Sequence, residues 1–208
     1  MRADAARSVA DYAQLAARYD RRTRLINAQR LRAVSALALR PGDVVLDAGC
    51  GTGFSFAPIE EAIGPAGRLL AFDHSPELLG IARARIATAG WRNVALIEAT
   101  AEAARFDAPA DALLFSYVHD ILQSEAALDG LLAQAKPGAR VAMCGTKLWP
   151  AWGAPVNWYL RATHRRYITD MENFERPWAK LAPRLEGFRL EVQWPPGWRY
   201  LATGRLPG

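Results

Sequence analysis

The sequence predicts an α/β fold built on a mostly parallel sheet with helices on both faces. Three features predict it. Short apolar runs (VVLDAG from Val44, RLLAFD from Arg68, NVALIE from Asn93, DALLFSYV from Asp111, ARVAMCG from Ala139) mostly alternate with stretches of helical spacing, the grammar of parallel strands joined by crossovers. The first run passes into a glycine-rich turn that opens a helix. The last two β-like runs, 188–194 and 198–203, flank Pro195-Pro196-Gly197 and read as an antiparallel hairpin at the sheet edge.

Two helices are expected before the first strand. Residues 5–18 lead a face of Val9, Tyr12, Ala13, Ala16 and Tyr19 at steps of three and four, the spacing of one helical stripe. A second helix over about 24–39 carries Leu25, Ala28, Leu31 and Ala38 as its apolar side and stops at Arg40-Pro41-Gly42. Ser75-Pro76-Glu77 is a helix start, with a capping hydroxyl, Pro in the first turn and an acid near the positive end of the dipole. Gly90 ends that helix, and Pro137-Gly138 is expected to end a later one. After the fifth strand, near Lys147, about 40 residues pass before the next β-like run, long for a connection. They hold Trp149, Trp152, Trp158, Tyr159, Tyr167, Phe174 and Trp178, with a helix expected around 155–169. That insertion is either additional core or the roof of a substrate pocket, whose indoles would exclude water.

At 208 residues, 51% hydrophobic and 23% charged, the chain has the balance of one ordinary globular domain. Expected subdivisions are N-terminal helices over 1–40, a core over 41–146, an aromatic lid over 147–187 and the hairpin over 188–208. No apolar run reaches the roughly 18 residues of a membrane span, and the N-terminus lacks a secretory signal; a cytoplasmic protein is expected. Nine Arg against three Asp in residues 1–40 more than account for the formal net charge of +5. Arg outnumbers Lys 23 to 3, which fits coding bias in a GC-rich genome as well as selection for anion binding. Cys50 and Cys144 have no metal-ligand spacing, and both are expected to be reduced.

The chemistry concentrates at Val44-Val45-Leu46-Asp47-Ala48-Gly49-Cys50-Gly51-Thr52-Gly53. Glycines at such a turn bring backbone within contact distance of a ligand, and the helix start offers free N–H groups. Asp73 closes the second strand 20 residues after Gly53, where a carboxylate can accept hydrogen bonds from a ribose diol. Together they point to a nucleoside cofactor. A G-x-G-x-x-G dinucleotide fingerprint needs a small residue at 54, where this chain has Phe54, so pyrophosphate binding is disfavoured. With VLDAGCGTG, the acidic end of RLLAFD and the KPGARV turn before the fifth strand, the sequence over about 41–146 resembles the class I S-adenosylmethionine-dependent methyltransferases.

That resemblance implies a Rossmann-like, seven-stranded sheet and S-adenosyl-L-methionine as cofactor, with S-adenosyl-L-homocysteine as product. It assigns Gly49, Gly51 and Gly53 to the methionine part, Asp47 to the amino group and Asp73 to the ribose, with Cys50, His74, Ala101 and Ser116 in the same shell. For the adenine, the family's Gly-Asp pair is replaced by Ala99 and Thr100; Thr100 offers a hydroxyl, and Glu102 is the substitute carboxylate. After the fourth strand, Val118-His119-Asp120 resembles the segment that carries the catalytic histidine of some small-molecule O-methyltransferases. His119 is there a general base whose tautomer Asp120 fixes, or else a packed structural residue. Tyr19, with Asp20 and Tyr12, is either core or part of a helix folded over the cofactor.

Methyl transfer to an O or N atom of a small molecule is the resulting expectation, with no metal. The Asn/Asp-Pro-Pro-aromatic motif of base-amine methyltransferases is absent after the fourth strand, where Ser116-Tyr117-Val118-His119 stands, so nucleic acid is not expected as a substrate. His164-Arg165-Arg166 is either an anion contact or a solvated basic face. Two alternatives stay open. One is a phospholipid head-group N-methyltransferase docking peripherally on membrane through its basic N-terminal helices. The other is a noncatalytic cofactor-binding partner, or a methyltransferase fold turned to another reaction. Oligomeric state is left open.

Overall fold

A computed structural model describes residues 24–149, 157–158, 173–193 and 197–208. The helix expected over 5–18, with Tyr12, Tyr19 and Asp20, lies outside the described residues, as do Trp152, Tyr159, Tyr167, His164-Arg165-Arg166 and Pro195-Pro196.

The element order is α1 (Arg24–Ala36), β1 (Val44–Ala48), α2 (Phe56–Ile63), β2 (Arg68–Asp73), α3 (Pro76–Ala89), β3 (Val94–Glu98), β4 (Ala110–Ser116), α4 (His119–Gln123), α5 (Glu125–Leu132), β5 (Ala135–Thr146), β6 (Glu186–Gln193) and β7 (Arg199–Arg205). The strands form one sheet in the order β3-β2-β1-β4-β5-β7-β6. β1 to β5 pair in parallel, while β7 runs antiparallel to both β5 and β6. The fold is thus the mostly parallel α/β arrangement expected from the runs, with the Rossmann-like seven-stranded sheet that the resemblance implies.

The continuous apolar runs divide between two cores because successive strand residues face opposite sides. Val45, Leu69, Ala71, Ala112 and Leu114 pack with Ala33 and Val34 of α1, with Leu37 just beyond it, and with Phe56, Ile59 and Ile63 of α2. Leu46, Leu70, Phe72, Leu113 and Phe115 pack on the other face with Leu128 and Leu131 of α5, and with Trp178 and Leu181. Asp47 shares the parity of Val45 and therefore faces the side that α1 covers.

Two expectations about helix limits and faces are corrected. α1 ends at Ala36, and the chain turns at Ala38 with φ 46°. Ala28, Leu31 and Ala38 are exposed, while Gln29, Ala33, Val34 and Leu37 are buried. The inward stripe is therefore rotated from the one read by hydrophobicity, because two polar residues, Gln29 and Arg30, face inward to make polar contacts. Pro137-Gly138 does not stop a helix either. α5 ends at Leu132, and the Pro-Gly pair sits inside β5, where pairing with β4 jumps from Ala110↔Ala135 to Ala112↔Arg140 and Gly138 takes φ 72°, the signature of a bulge. The Ser75 cap and the left-handed Gly90 stop occur as read: Ser75 Oγ accepts from the Leu78 N–H at 3.3 Å, and Gly90 has φ 72°.

Sheet order reverses between β1 and β4: the chain steps outward through β2 and β3, then returns to the far side of β1. The carboxyl ends of β1 and β4 therefore diverge into a crevice, the general ligand position in open α/β sheets.

Candidate functional site

A cavity of about 380 Å³ opens at that crevice, within the usual range for a small-molecule site. It is lined by the ends of β1, β2 and β4, the segment 99–102, the joint into α4 and, from above, Arg30 of α1. Among the residues anticipated from sequence, Asp47, Gly49, Cys50, Gly51, Asp73, His74, Thr100, Ala101, Glu102, Ser116, His119 and Asp120 all line it. Gly53 does not; a Cβ there would lie 2.7 Å from the Phe56 ring, so the glycine serves packing at the start of α2.

Asp73 is 7% exposed, and each carboxylate oxygen already accepts one backbone N–H: Oδ2 from Gly51 at 2.9 Å and Oδ1 from Ser75 at 3.0 Å. One residue therefore pins the glycine turn to the end of β2, helped by the Cys50 N–H donating to the Phe72 carbonyl at 2.9 Å. Each carboxylate oxygen accepts more than one hydrogen bond, so a diol can still be held. Gly51, at φ 55°, has open space where a Cβ would stand, whereas at Gly49 a Cβ would come within 2.6 Å of Val118 Cγ1. Gly49→Ala is expected to destabilise the fold by about 1–3 kcal/mol by overpacking this joint, read as a lower denaturation midpoint.

Asp47 is 1% exposed, and its Oδ2 has no hydrogen-bond partner in the structure. Burial pushes its pKa up to about 7, opposed by the Arg30 charge and reinforced by Asp73. A buried carboxylate oxygen without a donor is costly unless a ligand supplies one, and a primary ammonium is such a donor. In the free protein the native state keeps a proton that the unfolded chain releases, so this group's contribution to stability falls as pH rises from 3.8 to about 7 and is flat above. A bound ammonium favours the ionised carboxylate, so binding below about 7 must expel that proton. Affinity for an ammonium-bearing ligand should then rise about tenfold per pH unit up to that point and level off. Calorimetric titration across this range tests it, and Asp47→Asn should flatten the profile.

Sequence reasoning missed Arg30 and Tyr117. The Arg30 guanidinium lies 5.6 Å from the Phe54 ring centroid and 5.4 Å from that of Tyr117, held between two aromatic faces. The signal available was the adjacent Gln29-Arg30 pair on a helix that must cover the sheet, outvoted there by a weak apolar stripe.

On the acceptor side, His119 begins α4 and is 8% exposed, its ring meeting Phe174 edge-on at 4.7 Å and 81°. Phe174 belongs to the aromatic insertion, so that much of the insertion reaches the site. The strap from 173 is held to α4 by Gln123, which accepts from Asn173 Nδ2 at 3.0 Å and donates to the Pro177 carbonyl at 3.1 Å. Trp178 is core, packed on Tyr200 at 5.0 Å, and Trp158 is 74% exposed. Glu102 is exposed and accepts from Ser124 Oγ at 2.8 Å, which lowers its pKa; it stands at the cavity rim as an ionised acceptor.

Residues 45–138 match the family model described as a methyltransferase domain. Along 95% of its length the chain superposes on 98% of a SAM-dependent methyltransferase from Aquifex aeolicus, with a TM-score of 0.60 at 19% identity. Residues 45–138 thus carry a methyltransferase domain. The unpartnered Asp47 oxygen, the Asp73 acceptors and the open backbone at Gly51 fit the ammonium, ribose and methionine parts of S-adenosylmethionine.

Curated methyltransferases match over shorter stretches. A protein-L-isoaspartate O-methyltransferase of Ignicoccus hospitalis is 39% identical over 31% of this chain and 30% of its own length. A demethylmenaquinone methyltransferase of Shouchella clausii is 28% identical over 50% of this chain and 45% of its own. A ribosomal RNA small subunit methyltransferase H of Chromobacterium violaceum is 46% identical over 24% of this chain and 16% of its own. The matches thus span less than half of these relatives, which are named for a protein L-isoaspartate, demethylmenaquinone and a ribosomal RNA. Among the described residues no helix is long and apolar enough to cross a membrane.

Proposed function

We propose that the chain transfers a methyl group from S-adenosylmethionine to an O or N atom of a small molecule. The observation that carries this reading is the juxtaposition of Asp47, Asp73 and His119 around one cavity of about 380 Å³. The cofactor-binding end and a candidate proton acceptor share that space, which is of small-molecule size.

The cofactor, when bound, supplies an electrophilic methyl on a sulfonium. The chain's own residues do the rest. Asp47 would accept from the ammonium, Arg30 would meet the carboxylate and Asp73 would hold the ribose, with Thr100 and Glu102 at the adenine end. Held at these points, the cofactor would present its methyl in one fixed orientation. Ser116, Tyr117 and Val118 then bound the space in which an acceptor lies in line with it, and holding two reactants in such a geometry is the main source of acceleration. His119 is positioned to take the acceptor's proton where that acceptor is a hydroxyl. A single domain carrying both binding functions completes the reading, and cytoplasmic location remains part of it.

The test is direct. Purified protein is titrated with S-adenosylhomocysteine and then incubated with methyl-labelled cofactor and separate pools of small metabolites, protein and RNA. Label in the small-molecule pool is the expected result. Label only in protein or RNA overturns the acceptor class, and absence of binding at millimolar cofactor overturns the enzyme reading itself.

A further inference from the structure

Tyr117 stands at the joint between β4 and α4 with φ 60°, a left-handed conformation that bulky residues rarely adopt. Such a conformation persists only where the surroundings over-determine it, and it gathers at functional sites. Here the surroundings do. The Tyr117 N–H donates to the Cys144 carbonyl at 2.9 Å, fixing the backbone to β5. Its hydroxyl donates to Gln29 Oε1 at 2.9 Å, and Gln29 Nε2 in turn donates to the Tyr200 carbonyl of β7. Arg30, the next residue on α1, covers the Tyr117 ring at 5.4 Å. Gln29 is 4% exposed, so both ends of its amide are committed inside the protein. Burial also pushes the Tyr117 phenol pKa up, which keeps it a donor.

The joint is closed on its other side as well. Val118 approaches Gly49 so closely that no Cβ fits there, and His119 follows as the first residue of α4, against Phe174. An extended residue at 117 would continue the line of β4; the left-handed one turns the chain so that position 119 reaches the cavity.

We propose that Tyr117 is a positioning residue: anchored through Gln29 to α1 and β7, it turns the joint that places the His119 imidazole in the cavity. α1 thereby acts on the acceptor side of the site as well as on the cofactor side. This deepens the methyltransferase reading and rests on it.

The sequence holds three histidines, His74, His119 and His164, so imidazole proton resonances are countable, and His119→Gln assigns one of them. Tyr117→Phe keeps the ring and drops only the hydroxyl tie; Tyr117→Gly makes the backbone turn permissive; Gln29→Ala removes the anchor from the other end. The expected result is that all three move the His119 resonance and its titration midpoint, while the resonance of the solvent-exposed His74 stays in place. Tyr117→Phe combined with Gln29→Ala should move His119 little further than Gln29→Ala alone, because both remove one tie. If Tyr117→Phe and Gln29→Ala leave the His119 resonance and midpoint at the wild-type values, Tyr117 is structural only and the proposal is overturned, even if both variants melt earlier. Titration of the same wild-type sample with S-adenosylhomocysteine keeps the outcomes apart: failure there overturns the methyltransferase reading without altering the imidazole readout.

Discussion

Asp73→Ala is expected to weaken binding of S-adenosylhomocysteine by on the order of 10²-fold or more. Hydrogen bonds to a charged acceptor contribute about 1.5–3 kcal/mol each, and every 1.4 kcal/mol is about tenfold in affinity, so losing two ribose contacts reaches that figure. The same substitution strips acceptors from the Gly51 and Ser75 N–H groups, loosening the glycine turn and the start of α3. A lower melting temperature in the free protein is therefore expected too. Asp73→Asn should rescue poorly, because its amide would present a donor to one of those two N–H groups. An adenosylhomocysteine analogue lacking the ribose hydroxyls separates the effects. It should bind wild type and Asp73→Ala with similar affinity if the ribose contact dominates, and lose affinity in the variant if the turn has collapsed. A variant that binds the intact ligand as tightly as wild type removes Asp73 from the site.

The sheet was legible because its physics is local in the sequence. Runs such as RLLAFD must be buried on both sides, and Leu69 and Leu70 indeed fall to opposite faces. The turn 49–53 and Asp73 were legible for the same reason: glycines, a strand end and a carboxylate at a fixed interval are forced by how a backbone approaches a nucleoside. α1 was misread because periodicity counts apolar residues, and here the inward positions include Gln29 and Arg30. Their environment consists of Tyr200, Tyr117 and Phe54, 24 to 171 positions away, and no window along the chain contains it. Pro137-Gly138 was misassigned for a related reason. A Pro-Gly pair signals a sharp turn but does not say whether the turn ends a helix or bulges a strand. Phe174 against His119 and the left-handed Tyr117 arise only when elements distant in sequence meet. The site was thus readable where a ligand shapes one loop, and unreadable where tertiary contacts from α1 and the 173–178 strap complete it.

His119→Ala is expected to reduce the methyl-transfer rate by about 10²–10⁴-fold with cofactor affinity nearly unchanged, if the acceptor is a hydroxyl whose proton the imidazole removes. The geometry that favours this is the placement of a nearly buried imidazole on the cavity wall, at the first position of α4 and against Phe174. An amine acceptor gives a different result. A neutral amine attacks through its lone pair and loses its proton to water afterwards, so the rate falls little. A purely structural histidine gives a third: removing a packed ring beside Phe174 leaves a void, and melting temperature and rate fall together. His119→Gln sharpens the distinction, because it keeps a polar side chain of similar reach that cannot accept a proton to any useful extent. A base therefore predicts both variants equally slow at normal stability, whereas a packing role predicts partial recovery in His119→Gln. Should both variants bind S-adenosylhomocysteine normally, melt like wild type and turn over at the wild-type rate, the acceptor's proton leaves by another route and His119 has no part in the chemistry.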